Sequence, residues 1–183
     1  MSYIYLFVAL KITDNVARTA QQTMQTRLNA VHLKSVRRSD FWEMSFPGRS
    51  PQQARQIAET IVQKTAFFAN PNKHIWRMEE SEQPIEESGP YSFPSCVDAS
   101  VLVCDRVDGL AEGTLEALAK LLDENQRPAS LKRGVWWDMQ FENLSPEAIR
   151  QETEKLTLTT SRKQGLLANP HYQSYQTFYA DSL

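Results

Sequence analysis

Among the residue types that carry nucleophilic, redox and metal chemistry, this chain of 183 residues offers three histidines, His32, His74 and His171, and two cysteines, Cys96 and Cys104. None of the histidines has a second ligand three or four residues away, the spacing that turns two donors toward one metal. Each falls at or near an expected strand, which suits a structural histidine. The cysteines are eight positions apart with no C-x-x-C, so neither a redox pair nor a zinc site is indicated, and two are too few for a disulfide framework. A phosphate cradle would need G-x-x-x-x-G-K-[ST] or G-x-G-x-x-G; neither occurs, and there are only six glycines. Asp108-Gly109-Leu110-Ala111-Glu112-Gly113 precedes a helical pattern and reads as a turn with a capping aspartate, although a helix N-terminus can also hold an anion. The expectation is of no catalytic residues, no cofactor and no metal.

Two basic pairs, Arg37-Arg38 and Lys132-Arg133, stand out because charges of both signs are mixed elsewhere. They read either as charged strand ends or as contacts to an anionic partner. The four tryptophans, Trp42, Trp76, Trp136 and Trp137, fall in expected strands and read as sheet core rather than a stacking platform for bases. Lys and Arg number 20 against 22 Asp and Glu, so the net charge is 20 − 22 = −2, with a pI near 5.9. That balance argues against binding nucleic acid through its phosphates. Hydrophobic residues at 41% can fill a core, and charged residues at 23% are ordinary for a water-facing surface. No apolar run approaches the ~20 residues of a membrane span. Met1 to Leu10 is apolar but lacks the basic flank and cleavage site of a signal peptide. A soluble, cytoplasmic protein is expected, in which the sequon Asn143-Leu144-Ser145 has no meaning.

The elements that must position these residues come in two similar sets. Val36-Arg37-Arg38-Ser39-Asp40-Phe41-Trp42-Glu43-Met44-Ser45-Phe46 aligns without a gap on Leu131-Lys132-Arg133-Gly134-Val135-Trp136-Trp137-Asp138-Met139-Gln140-Phe141. The register continues to Ser50-Pro51 and Ser145-Pro146. After a short insertion, Phe67-Phe68-Ala69-Asn70-Pro71 meets Leu166-Leu167-Ala168-Asn169-Pro170. In the first set, Tyr3 to Lys11 suits a strand. Asp14 caps a helix whose face is Val16, Ala20, Met24 and Leu28. Val31 to Arg38 and Phe41 to Phe46 read as two short strands. Ser50-Pro51 opens a helix with Ala54, Ile57, Ala58, Ile61 and Val62 inward, which Asn70-Pro71 stops. Asn72 to Glu79 is the last strand. The second set repeats this with strands at Ser100 to Arg106, Ser130 to Gly134, Val135 to Phe141 and His171 to Tyr179. Its helices are marked by Leu115, Leu118, Ala119 and Leu122, and by Ser145-Pro146 with Ile149 and Leu156. Trp42, Met44 and Phe46 share one sheet face, as do Trp137, Met139 and Phe141, while Glu43 and Asp138 point the other way.

Each half therefore reads β-α-β-β-α-β. The expected fold class is α+β, with two ferredoxin-like units packed as a pseudo-twofold pair. The expected boundaries are 1–79 and 99–183, joined by an acidic, proline-containing linker at 80–98 whose composition cannot offset its ordering entropy.

The repeat resembles the PurS family, the small subunit of phosphoribosylformylglycinamidine synthase. The resemblance rests on Val8-Ala9-Leu10-Lys11, Val36-Arg37-Arg38, Trp42-Glu43-Met44 and Phe68-Ala69-Asn70-Pro71 in the first copy. In the second it rests on Asp108, Gly113, Thr114, Glu116, Ala117-Leu118, Leu131-Lys132-Arg133, Trp137-Asp138-Met139 and Leu167-Ala168-Asn169-Pro170. It covers most of both halves. The family member is usually one unit of about half this length, and the first helix start, Asp14-Asn15-Val16-Ala17, lacks the glycine kept at Gly113. The resemblance implies a ferredoxin-like fold that pairs. It also implies a role in purine biosynthesis as a subunit without chemistry of its own in a glutamine-dependent ligase. That subunit bridges a glutaminase subunit to a large ATP-dependent synthetase subunit and helps ammonia pass. On this reading the interface candidates are Arg37, Arg38, Asn70, Pro71, Lys132, Arg133, Asn169 and Pro170. The partners are those two subunits, with no nucleic acid and no membrane, and self-association of tandem chains is left open. The alternative is a small-molecule-sensing regulatory protein with a ligand site at the seam between the two repeats.

Overall fold

A computed structural model describes residues 1–89, 96–161 and 164–180. The chain is of mixed α/β composition. Its strands are β1 (Ser2–Leu10), β2 (Leu33–Phe46), β3 (His74–Ser81), β4 (Ala99–Asp105), β5 (Ser130–Phe141) and β6 (Gln173–Tyr179). Its helices are α1 (Asn15–Arg27), α2 (Pro51–Lys64), the four-residue α3 (Ile85–Ser88), α4 (Gly109–Leu121) and α5 (Pro146–Thr157). The strands form an antiparallel sheet in the order β3-β1-β2-β5-β4-β6. No helix among the described residues is long and apolar enough to cross a membrane.

Local chemistry starts the helices where the sequence places them. The Asp14 carboxylate accepts from the Val16 and Ala17 amides at 2.8 and 3.2 Å. Ser50 and Gln53 form a reciprocal capping box ahead of Pro51, and Ser145 accepts from the Ala148 amide ahead of Pro146. Asp108 caps α4 by accepting from the Ala111 amide at 3.0 Å. One helix end differs from expectation. α2 stops at Lys64, where Thr65 takes up extended backbone, six residues before Asn70-Pro71.

A larger difference concerns the expected strand pairs 31–38 with 41–46, and 130–134 with 135–141. Each is one continuous strand, of 14 residues in β2 and 12 in β5. A tight hairpin turn needs residues with positive φ. The described residues with positive φ are Asn29, Gly48, Gly89, Asn143 and Gly165, and none lies within either strand. With no turn at Ser39-Asp40 or Gly134-Val135, the backbone runs straight on. The strand order is therefore not that of two separate ferredoxin-like sheets.

The compact units consequently do not follow the expected boundaries of 1–79 and 99–183. The first unit comprises Met1–Ile12, Asp40–Pro90 and Val107–Gly134; the second comprises Thr13–Ser39, Tyr91–Arg106 and Val135–Leu183. Each draws on both repeats. In the first, Ile4, Leu6, Trp42, Met44 and Phe46 of the sheet pack with Ala54, Ala58 and Ile61 of α2 and with Ala111 and Leu118 of α4. In the second, Val101, Val103, Trp137 and Met139 pack with Leu156 of α5 and with Ala17, Ala20 and Met24 of α1. The expected linker is also more ordered than its composition suggests. Ser81 ends β3 buried, and Ile85 is fully buried in α3. Residues 90–95 of that linker lie outside the described residues.

The exchange can be tested with one core truncation. Leu118 is fully buried in the first unit although it belongs to the second repeat. Leu118→Ala is expected to lose about 2–5 kcal/mol in urea unfolding. In native-state hydrogen exchange, the loss of protection is expected in β1 and β3 before β4 and β6.

Candidate functional site

The Asn-Pro segments form the same turn twice. Asn70 Oδ1 accepts from the Asn72 amide at 2.9 Å, and Asn169 Oδ1 accepts from the His171 amide at 3.0 Å. The asparagine carbonyls accept from the His74 and Gln173 amides, each at 2.8 Å. The asparagine amides donate in turn to His74 Nδ1 at 3.0 Å and Gln173 Oε1 at 2.9 Å. A cation from the neighbouring strand end closes each turn. Lys11 Nζ donates to the Pro71 carbonyl at 2.6 Å, and Arg106 Nη2 to the Pro170 carbonyl at 3.4 Å. An asparagine side chain that bonds its own backbone two residues on is an Asx turn. Here it starts the last strand of each repeat.

The basic pairs serve the helix N-termini. Arg38 Nη1 stands 3.5 Å from Asp14 Oδ2, the aspartate that caps α1, and Arg37 is exposed. In the second repeat the Arg133 backbone amide donates to Asp108 Oδ2 at 3.2 Å, and Lys132 pairs with Glu86. The Arg133 guanidinium lies over the Trp42 ring, 5.8 Å from its centroid. Phe68, two residues before Asn70, also meets the Trp42 ring edge-on, the centroids 4.9 Å apart. The eight interface candidates thus fall into two groups of four. Asn70, Pro71, Lys132 and Arg133 belong to the first unit; Arg37, Arg38, Asn169 and Pro170 belong to the second. Each group takes its turn from one repeat and its basic pair from the other.

Two carboxylates on the opposite sheet face were visible only as an alternation pattern. Glu43 is buried, pairs in register with Tyr5, and accepts from the Ile85 amide through Oε2 at 2.7 Å. The Tyr5 hydroxyl reaches the Gln83 carbonyl at 2.6 Å, so both side chains hold the segment carrying α3 against the sheet. Burial raises the Glu43 pKa; the Ile85 amide and the nearby Lys132 charge oppose the shift less strongly, and Glu86 adds to it. At the equivalent place in the second repeat, Asp138 pairs in register with Ser100. Its Oδ1 accepts from Ser100 Oγ at 2.6 Å and from Trp136 Nε1 at 2.7 Å.

The first unit also holds an open cleft of about 600 Å³ between the ends of α4 and β2, floored by Phe46 and Pro128 and flanked by Arg49 and Arg127. Cys96 and Cys104 are not joined to each other. Among the described residues no group of three or more His, Cys, Asp or Glu could hold a metal ion. No protein-family model matches this chain, and no curated protein matches its sequence.

The Glu43 environment predicts a pH dependence. With its folded pKa raised, the folded chain holds a proton that the unfolded chain has already released. Stability therefore falls as pH rises from the usual carboxylate range through the raised value. Glu43→Gln keeps an acceptor for the Ile85 amide and carries no charge, so that loss is expected to vanish in urea unfolding between about pH 4 and about pH 8. Glu43→Leu strands the Ile85 amide and is expected to be about 1–3 kcal/mol less stable than Glu43→Gln at every pH.

Proposed function

We propose that the chain is a PurS-like scaffold subunit of phosphoribosylformylglycinamidine synthase in purine biosynthesis, with the pairing of two units built into one polypeptide. On this reading each compact unit is a ferredoxin-like unit completed by exchange. Residues 130–134 and α4 supply one strand and one helix to the first, and residues 33–39 and α1 supply them to the second. The observation that carries the proposal is this mutual completion around a twice-used turn, because it makes the pair obligatory. Two linked but unlike copies can present Arg133 with Asn70-Pro71 to one partner and Arg37-Arg38 with Asn169-Pro170 to another. The partners would be the glutaminase subunit, which releases ammonia, and the ATP-dependent synthetase, which consumes it. A cytoplasmic location goes with this role. Linking replaces a bimolecular encounter by a high effective concentration.

A second reading, a metabolite-sensing regulatory protein, is favoured by one observation. The cleft of the first unit is lined by Phe46 and Arg49 of one repeat and by Glu116 and Arg127 of the other.

The scaffold is tested by measuring amidine synthase activity with purified synthetase and glutaminase subunits, with and without this chain. Glutamine-dependent activity is expected to require the chain, while ammonia-dependent activity is expected to be unchanged. Arg37→Ala with Arg38→Ala is expected to weaken complex formation. No restoration of glutamine use would overturn the proposal.

A further inference from the structure

We propose that the cleft of the first unit binds a free amino acid with an apolar side chain; this rests on the metabolite-sensing reading. The cleft carries opposite charges that do not satisfy each other. Arg127 is half-buried, and Glu116 and Glu124 are exposed. None of the three side chains makes a hydrogen bond or ion pair among the described residues, so the carboxylates stand beyond salt-bridge reach of that guanidinium. A half-buried guanidinium with unused donors is partly desolvated without compensation from the protein. Arg49 is already held in place, its Nη2 donating to Asn125 Oδ1 at 3.1 Å and to the Asn125 carbonyl at 3.3 Å.

Apolar residues line the same cleft. Phe46 and Pro128 are buried there, and Leu115 is half-buried beside them. A complementary ligand has a carboxylate for the planar guanidinium fork, an ammonium for the glutamates and an apolar body for the floor. A zwitterionic amino acid carries all three. A phosphate ester offers nothing to Glu116 and Glu124 and is repelled by both. The volume of about 600 Å³ admits such a molecule with water beside it.

The test uses the intact chain in calorimetric titration and thermal denaturation. The probes are L-leucine and L-phenylalanine, with N-acetyl-L-leucine, L-leucinamide, inorganic phosphate and AMP beside them. Saturable binding of at least one free amino acid is expected, with the acetylated and amidated forms at least about tenfold weaker. Arg127→Met is expected to abolish binding and Glu116→Gln to weaken it, neither lowering the ligand-free melting temperature. Equal binding of leucine and N-acetyl-leucine, or undiminished binding by Arg127→Met, would overturn the inference. If AMP or phosphate stabilises the chain and the amino acids do not, the inference fails while the sensing reading stands. If no probe shifts the melting temperature up to about 10 mM, both fail.

Discussion

The constraint on which the rest depends is that β2 and β5 cross a point where a hairpin was expected without turning. Leu33–Phe46 keeps residues 33–39 in the second unit and residues 40–46 in the first. β5 does the reverse, with 130–134 in the first unit and 135–141 in the second. Whatever precedes these half-strands must go with them. α1 therefore fills the second core with Ala17, Ala20 and Met24, and α4 fills the first with Ala111 and Leu118. A lone repeat of about 80 residues is already marginal in the surface it can bury. Without the other repeat each unit would also lose one of the two long helices that fill its core.

The exchanged pieces are held together internally, which is why they move as modules. Gln21 Nε2 donates to the Lys34 carbonyl at 3.0 Å, and Gln25 Nε2 to the Leu33 carbonyl at 2.7 Å. Arg38 completes the link by meeting the capping Asp14. In the second repeat the capping Asp108 is met instead by the Arg133 backbone amide, a contact that does not use the guanidinium. A charged residue near the helix N-terminus thus ties each helix to its own following strand. Arg38 is therefore part of the first module's own fastening, and the Arg133 backbone is part of the second's. In the first pair this gives Arg38 a structural duty before any partner is considered and leaves Arg37 exposed; in the second the Lys132 and Arg133 side chains meet Glu86 and Trp42 instead.

Much of this was legible in the residues. Asp14, Ser50, Asp108 and Ser145 announced their helices because a cap is a local interaction between near neighbours. The alternation of Trp42, Met44 and Phe46 announced the buried face for the same reason. What was not legible was non-local. Nothing near Ser39-Asp40 states which strand will lie beside it; that is decided by the cores into which Leu33, Val36, Met44 and Phe46 must fit. The acidic run from Glu79 has the composition of a linker because like charges dominate it. One apolar residue, Ile85, together with a carboxylate acceptor on a strand 42 positions earlier, is enough to seat it. Glu43 showed as an outward position of the alternation, but its burial depended on that distant segment.

Carrying both copies in one chain also lets them differ in chemistry while keeping one plan. The repeat register places Leu144 opposite Arg49 and Glu142 opposite Pro47. Leu144 packs at the margin of the second core, whereas Arg49 bonds Asn125 at the mouth of the cleft. Extending the same register places His32 opposite Arg127, and the His32 carbonyl is occupied by the Glu142 amide at 2.8 Å. On the sheet face beyond, Tyr5 with Glu43 corresponds to Ser100 with Asp138. Each pair keeps a carboxylate and a hydroxyl while changing how far they reach. In a pair of identical chains every such change would appear in both units at once, including where it disrupts packing. In one chain a difference such as Arg49 against Leu144, just beyond β2 and β5, alters one unit only. The first unit can then carry an open, charged cleft while the second keeps an apolar margin at the matching position.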